Sequence, residues 1–249
     1  MELSGRAAIV TGSATGIGRS AALALARRGC HVVINYTRSE AEARATARDA
    51  EASGAQALLF RGDVSEDAAV RRMVAACEEK FGRLDVLVNA AGTTHISAPE
   101  DLDAITDEVW NRIFNVNVHG TFLATRAAAP LLKRSGQGAV VNVSSIAGLR
   151  PAAQAIPYAA SKAAIVTMTL SFARILAPEV RVNAVAPGWM EGRWMKAALG
   201  EQYGRLMERR AQRTPLGRVA TSDDVAQSIL SLIESNDFVT GQVLVIDGG

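Results

Sequence analysis

Short apolar, largely β-branched runs alternate with alanine-rich helical stretches along the whole of this 249-residue chain, and that alternation leaves few folds open. Residues 6–11 (RAAIVT) read as a strand, 16–29 as a helix ending at a glycine, 31–36 (HVVINY) as a second strand and 39–53 as a charged second helix. A third strand at 57–60, a helix at 65–81 capped by Ser65 with Asp67 in its first turn, and a fourth strand at 84–89 (LDVLVN) continue the rhythm. The second half predicts a helix over 106–134, a strand at 139–143, a helix at 157–176 and a strand at 180–186. A helical stretch at 193–212, a helix at 222–234 and a last strand at 242–246 complete it. Strands separated by helices of this length need crossover connections, and these build a parallel sheet with helices on both faces.

Seven mainly parallel strands and about as many helices make a single-domain α/β doubly wound sheet of the Rossmann type over residues 1–249. Hydrophobic residues at 49% and charged residues at 21%, with no like-charge block, repeat or Pro/Gly/Ser-rich linker, favour one unit over two. A net charge of +2 is too mild for a nucleic-acid partner but suits an anionic ligand. The first strand follows Met1 too closely for an export signal, and no run approaches a membrane span, so neither membrane nor secretion is expected. Cys30 and Cys77 read as reduced apolar residues, which predicts a cytoplasmic address and makes the glycosylation patterns at Asn35 and Asn142 chance matches. His31, His95 and His119 show no metal spacing, so no metal is expected.

Sheets of this kind bind ligands beyond the carboxyl ends of their strands, where the distinctive motifs fall. Thr11 to Gly18 (TGSATGIG) places three glycines between the first strand and the first helix, letting the backbone approach a pyrophosphate at a helix N-terminus. If Pro157 opens a helix, Tyr158 and Lys162 lie one turn apart on one face. A phenol titrates near pH ~10, and lowering that by about three units takes roughly 4 kcal/mol, which a lysine and a cationic nicotinamide together could supply.

TGSATGIG, Asn89-Ala-Ala-Gly92, Asn117 in NVNVHG, Ser145 thirteen residues before Tyr158, and Tyr158-x-x-x-Lys162 together resemble the short-chain dehydrogenase/reductase family, from Arg6 to the terminal Asp247-Gly-Gly. The resemblance implies that Tyr158 is the acid/base for the carbonyl proton and that Lys162 lowers its pKa and holds the nicotinamide ribose. Ser145, rather than Ser144, would bond the substrate oxygen, and Asn117 would hold a water for proton relay. Gly12, Gly16 and Gly18 would cradle the pyrophosphate in a cofactor loop that includes Ser13, Thr15 and Ile17. Asp63 and Val64 would contact adenine, Asn89, Ala90 and Gly92 would line the ribose side, and Pro187-Gly188 would flank the nicotinamide.

Cofactor choice turns on the end of the second strand, where an NAD site carries an acid for the ribose 2′-hydroxyl and an NADP site a cation. Here stand Tyr36, Thr37 and Arg38, which favour NADP(H), with NAD(H) possible, although Thr15 replaces a basic residue many NADP-dependent members carry. Gly192 departs from the family's frequent threonine, which bonds the carboxamide. Trp189, Met190, Trp194, Met195, Leu199, Tyr203, Leu206 and Met207 read equally as an apolar substrate lid over about 188–213 or as the underside of a packed helix. The expected reaction is hydride transfer between nicotinamide and a carbonyl or secondary alcohol, with a small-molecule substrate, possibly carrier-bound, such as a 3-oxoacyl ketone. A sugar or polyol dehydrogenase shares these motifs, while a non-catalytic dinucleotide-binding regulator would be expected to lose the tyrosine or lysine. Phe114, Phe122, Leu131, Ile165, Met168 and Phe172 supply more apolar surface than one sheet face can bury, and the resemblance implies a homotetramer through these helices.

Overall fold

The computed structural model describes residues 1–95, 101–151 and 155–249, without the side chains of Arg193, Trp194 and Ala198. The first half runs β1 (Ala7–Thr11), α1 (Gly16–Ala26), β2 (His31–Tyr36), α2 (Glu40–Ala52), β3 (Ala57–Arg61), α3 (Asp67–Phe81) and β4 (Val86–Asn89). The second runs α4 (Asp107–Phe114), α5 (Gly120–Arg134), β5 (Gly138–Val143), α6 (Ile156–Leu176), β6 (Val180–Pro187), α7 (Arg193–Leu199), α8 (Tyr203–Arg213), α9 (Ser222–Glu234) and β7 (Val243–Ile246). The strands form one sheet in the order β3-β2-β1-β4-β5-β6-β7. Every pairing is parallel.

Parallel strands are covered on both faces, which is why β1, β4 and β5 are apolar at nearly every position rather than alternating. Strand alternation then divides the core. Val10, Val32, Ile34 and Val88 pack with residues of α1, α2 and α9, while Ile9, Val33, Leu87 and Val140 pack with α3, α5 and α6. Because β1 pairs with both β2 and β4, the chain leaves these neighbours toward opposite faces and opens a crevice above their carboxyl ends.

Two expected helices are broken, each for a local reason. The stretch 106–134 contains a π-helical turn at Asn115–His119 between α4 and α5. Asn117 lies in that turn and its side chain is bonded to Thr93 and Ser161, partners far away in sequence. The stretch 193–212 breaks at Gly200, whose φ of +53° stops α7 before a short 3₁₀ turn leads into α8.

Two expectations about apolar surface need correction. By length and composition alone the 21-residue α6, with a mean hydropathy of 1.3 over an 18-residue window, is long and apolar enough to cross a membrane, where no such run was expected. It is instead packed along β6 and carries the buried Lys162. Leu131 and Ile165, proposed for the subunit face, are core residues at 6% and 1% exposure, whereas Phe122, Leu170 and Ile175 stand out of the surface.

Candidate active site

Strand register sets the floor of the crevice, because Thr11, Asn89 and Asn142 stand abreast at the carboxyl ends of β1, β4 and β5. The Asn89 amide donates to Asn142 Oδ1 at 2.8 Å and to Thr125 Oγ1 at 3.1 Å. Asn142 donates onward to Thr169 Oγ1 at 2.9 Å. These side chains are buried, so each bond replaces one that water would otherwise make, and the floor ties the sheet to α5 and α6. From α5 the chain of bonds climbs back toward the crevice through Thr125 Oγ1 to Thr121 O and Thr121 Oγ1 to Asn117 O. Asn117 Nδ2 donates to Ser161 Oγ at 2.9 Å, and Ser161 Oγ donates to the Tyr158 carbonyl at 2.7 Å. Asn117 and Tyr158 are thus registered to one another through the buried Ser161 hydroxyl.

Pro157 lies in the first turn of α6, where its missing N–H costs nothing, and Tyr158 and Lys162 follow on one face as expected. Lys162 Nζ is 5.5 Å from the centroid of the Tyr158 ring. The two neighbouring serines separate cleanly. Ser144 is buried and donates to the Lys162 carbonyl at 2.8 Å, while Ser145 accepts from the Ala147 N–H at 3.2 Å and is hydrogen-bonded to Tyr158. Gly148 permits this approach, since a Cβ there would stand 2.6 Å from the Lys162 carbonyl carbon.

The electrostatics differ from the expectation that Lys162 depresses the phenol. Burial pushes the Tyr158 pKa above its usual 10.0, with the Ser145 hydrogen bond pulling the other way. Lys162 is only 4% exposed, donates to the Val143 carbonyl at 2.7 Å, and is lowered by burial to about 8. In the protein alone, burial is the largest influence on the phenol and the one cause of the lysine's shift.

The glycine turn fits a dinucleotide. Gly12 has φ +63° and its absent Cβ would stand 2.8 Å from Ala91 Cα; Gly18 is likewise pressed against Gly12. Gly16, with φ +57°, meets nothing within 4 Å, so open space remains over the N-terminus of α1, whose first turn carries no acid. Asn89 Oδ1, at the end of β4, is buried without a hydrogen-bond partner among the described residues. Gly92 joins the glycine turn to the Asn117–Lys162 side, because its Cβ would lie 3.5 Å from Asn117 Oδ1 and 3.7 Å from Lys162 Nζ.

A family model described as enoyl-(acyl carrier protein) reductase matches residues 12–249. The protein named ketoacyl reductase 2 of the granaticin polyketide synthase of Streptomyces violaceoruber is 47% identical over 242 residues, 97% of this chain and 94% of that one. A short-chain dehydrogenase/reductase from Burkholderia xenovorans superposes with a TM-score of 0.91 at 37% identity, covering 98% of this chain and 97% of that one. The chain belongs to the short-chain dehydrogenase/reductase family. It is an oxidoreductase of that family, whose members bind a nicotinamide dinucleotide. Two further relatives span the family's range. A 3-oxoacyl-[acyl-carrier-protein] reductase of Thermotoga maritima is 36% identical over 251 residues, 100% of this chain and 99% of that one. Gluconate 5-dehydrogenase of Burkholderia cenocepacia, in complex with NADP and tartrate, superposes with a TM-score of 0.89 at 33% identity over 99% of this chain and 95% of that one.

Not every residue singled out in the sequence has a free polar group in this family member. Ser13 donates its hydroxyl to Val10 O at 2.6 Å and accepts from Asn35 N, so its side chain is spent on the fold. Asp63 turns back to accept from the N–H and hydroxyl of Ser65, and Val64 is buried beneath Gly120. The Ala90 N–H is taken by Thr11 Oγ1, and Ile17 leans on the α1-side core. Thr15 precedes α1 without capping it, Pro187 ends β6, and Gly188 is pressed against Asp247. In the lid segment Met207 is buried and Met190 packs on the core, while Trp189 lies 4.3 Å beneath the Arg210 guanidinium; Trp194 falls outside the described side chains. Gly192, which cannot bond a carboxamide through a side chain, donates its N–H to the Tyr203 hydroxyl at 3.3 Å.

Sequence reasoning missed Asn35, Thr11, Thr93 and Ser161. Asn35 Oδ1 accepts from Gly12 N at 3.1 Å while its amide donates to Gly62 O at 3.0 Å, holding the glycine turn to β3. A polar residue inside the apolar run HVVINY was the available signal.

Proposed function

We propose that this protein is an NADP(H)-dependent ketone reductase whose substrate is a 3-oxoacyl or similar apolar carbonyl compound, free or carrier-bound. The observation that carries the reading is the Ser145–Tyr158 hydrogen bond set above a buried Lys162, with Asn117 tied to the same helix. Bound in the glycine-lined crevice, the nicotinamide supplies the hydride. Ser145 and Tyr158 hold the substrate oxygen between them, and Tyr158 gives its phenolic proton to that oxygen as charge develops there. The phenol is protonated before reduction begins, but burial makes it a weaker acid than free tyrosine, so its proton transfer depends on a cation that stabilises the phenolate. Lys162 sits behind it as the cation that steadies the phenolate once the proton has gone, and it is positioned to hold the nicotinamide ribose. The Asn117 turn is the entry for the water that returns a proton.

Cofactor-binding residues in this reading are Gly12, Gly16, Gly18, Asn89, Gly92, Pro187 and Gly188, with Tyr36 and Arg38 selecting NADP(H). The ketone is favoured by the ketoacyl reductase relatives. A sugar-type substrate is the second reading, motivated by the gluconate dehydrogenase neighbour. We place the enzyme in the cytoplasm, in keeping with two free, buried cysteines, and assemble it as a homotetramer through the exposed apolar side of α5 and α6.

The test is a panel of 3-oxoacyl thioesters, simple ketones and sugar lactones followed by NADPH and NADH absorbance, on protein sized by light scattering. Oxoacyl thioesters should be reduced fastest, with NADPH, by a tetramer. Turnover confined to sugars would overturn the substrate reading, NADH preference the cofactor reading, and a monomer the assembly.

A further inference from the structure

Tyr36 and Arg61 stand opposite each other at the carboxyl ends of β2 and β3. Strand alternation gives both the face that α1 and α2 cover, since Ile34, Tyr36 and Leu59 pack on that side and Leu58 and Phe60 on the other. Tyr36 is half-buried, whereas Arg61 is exposed at the strand end. Its Nε donates to the Thr37 carbonyl at 3.3 Å. That bond draws the guanidinium across the end of β2, toward the connection that holds Arg38, instead of letting it run straight off β3.

Four arginines surround this corner, and they divide into two kinds. Arg19 pairs with Asp49 at 2.6 Å and Arg44 with Glu40 at 2.6 Å, so their charges are already met. Arg38 and Arg61 are both exposed, and neither pairs with a carboxylate among the described residues. Two cations near one strand end without a carboxylate gain nothing from each other, because like charges placed together repel. They are what a dianion needs, and a guanidinium offers it a fork of donors.

We infer that Arg61 is a specificity-determining residue, the second cation of a clamp that it forms with Arg38 around the 2′-phosphate of NADP. The inference rests on the NADP reading above. It also answers the loss of a basic residue at Thr15: the second cation comes from β3 instead of the glycine turn. A second fork of donors adds contacts that only the 2′-phosphate can use. One arginine would leave the two cofactors close in affinity, and two separate them.

The experiment titrates NADP, NAD and the nicotinamide-free probes 2′,5′-ADP and 5′-ADP into the parent, Arg61→Ala, Arg61→Lys and Arg38→Ala proteins by calorimetry. Arg61→Ala should weaken NADP and 2′,5′-ADP by about 10-fold or more, the effect of losing a charge-assisted hydrogen bond, and leave NAD and 5′-ADP within about two-fold. Arg61→Lys should lie between, keeping the charge and losing the fork. A parent that binds NAD as tightly as NADP overturns the NADP reading and the inference together. A parent that prefers NADP, with the preference unchanged in Arg61→Ala or all four ligands weakened equally, overturns the inference alone. Circular dichroism of each variant separates unfolding from lost binding, and the Arg61→Lys protein decides the matter if Arg61→Ala does not fold.

Discussion

The two ends of the sheet treat buried charge in opposite ways. At the amino end Asp85, directly before β4, is fully buried, and its carboxylate accepts from Ala7 N at 3.0 Å, Arg6 at 2.8 Å and Arg83 twice at 2.8 Å. Its charge is matched and its lone pairs are used. At the carboxyl end Lys162 is nearly as deeply placed, yet its ammonium donates to a backbone carbonyl and lies over the Tyr158 ring, and no carboxylate pairs with it among the described residues. Asn89 Oδ1 nearby has no hydrogen-bond partner among the described residues. The Asp85 cluster therefore closes its part of the amino end, where Glu179 Oε2 before β6 is the one side-chain oxygen buried without a partner among the described residues, while the carboxyl end leaves both a lysine and an asparagine electrostatically unfinished. Perturbed groups of this second kind mark functional sites, where stability is given up for chemistry.

The largest expected effect follows from removing a single oxygen at the carboxyl end. Tyr158→Phe should lower turnover by about 10²–10⁴-fold, the usual contribution of a positioned acid or base, while the melting temperature stays near the parent's. The ring keeps its packing, and the Ser161 bond goes to the Tyr158 backbone and not to its side chain. Steady-state kinetics within a few-fold of the parent would remove the tyrosine from the mechanism.

At the amino end the effect should fall on stability and spare chemistry. Asp85→Asn leaves Arg6 and Arg83 without their shared anion, and breaking such a partly buried cluster should cost about 3 kcal/mol in urea unfolding at pH 7. Turnover per folded molecule should not change. Burial alone would raise the Asp85 pKa, but the Arg83, Ala7 and Arg6 hydrogen bonds hold it below the ordinary 3.8. A depressed acid stabilises the fold above its unfolded value and loses that contribution as pH falls, so the gap between parent and variant should close below about pH 4. A gap that persists in acid would mean the carboxylate is not what the arginines require.

The two ends were also unequally legible in the sequence. Strands, helices, the glycine turn and the Tyr158–Lys162 pair depend on spacing along the chain, and periodicity reports spacing directly. The expectation of Ser145 over Ser144 came from the family resemblance, and the structure sets Ser145 against Tyr158 and Ser144 against the Lys162 carbonyl. The Asn115–His119 turn was not, because it is held by Thr93 and Ser161, 24 and 44 residues from Asn117. The raised phenol of Tyr158 was missed because desolvation is a property of the whole neighbourhood, whereas an i,i+4 pair shows only the attraction. The Asp85 cluster was overlooked as well. Its acid sits at the head of LDVLVN, where a sequence offers no way to tell a buried anion from a solvated one.

The smallest effect would sharpen the comparison most, because it reads the unfinished charge itself. Lys162 titrates at about 8 in the folded protein against an ordinary 10.5. Below about pH 8 the fold carries a buried ammonium that the unfolded chain leaves in water; above that, the folded state sheds its proton first. The unfolded chain then binds more protons, so this lysine's contribution to stability rises with pH, opposite to a lysine that gains an anionic partner. Against Lys162→Met as the reference, cofactor-free parent protein should gain about 2 kcal/mol between pH 8 and 10, and groups that titrate alike in both proteins cancel. The measurement is urea unfolding of both proteins at several pH values. A difference that stays flat, or that moves against the parent as pH rises, would mean that the ammonium is solvated or paired after all, and the contrast between the two ends would fail.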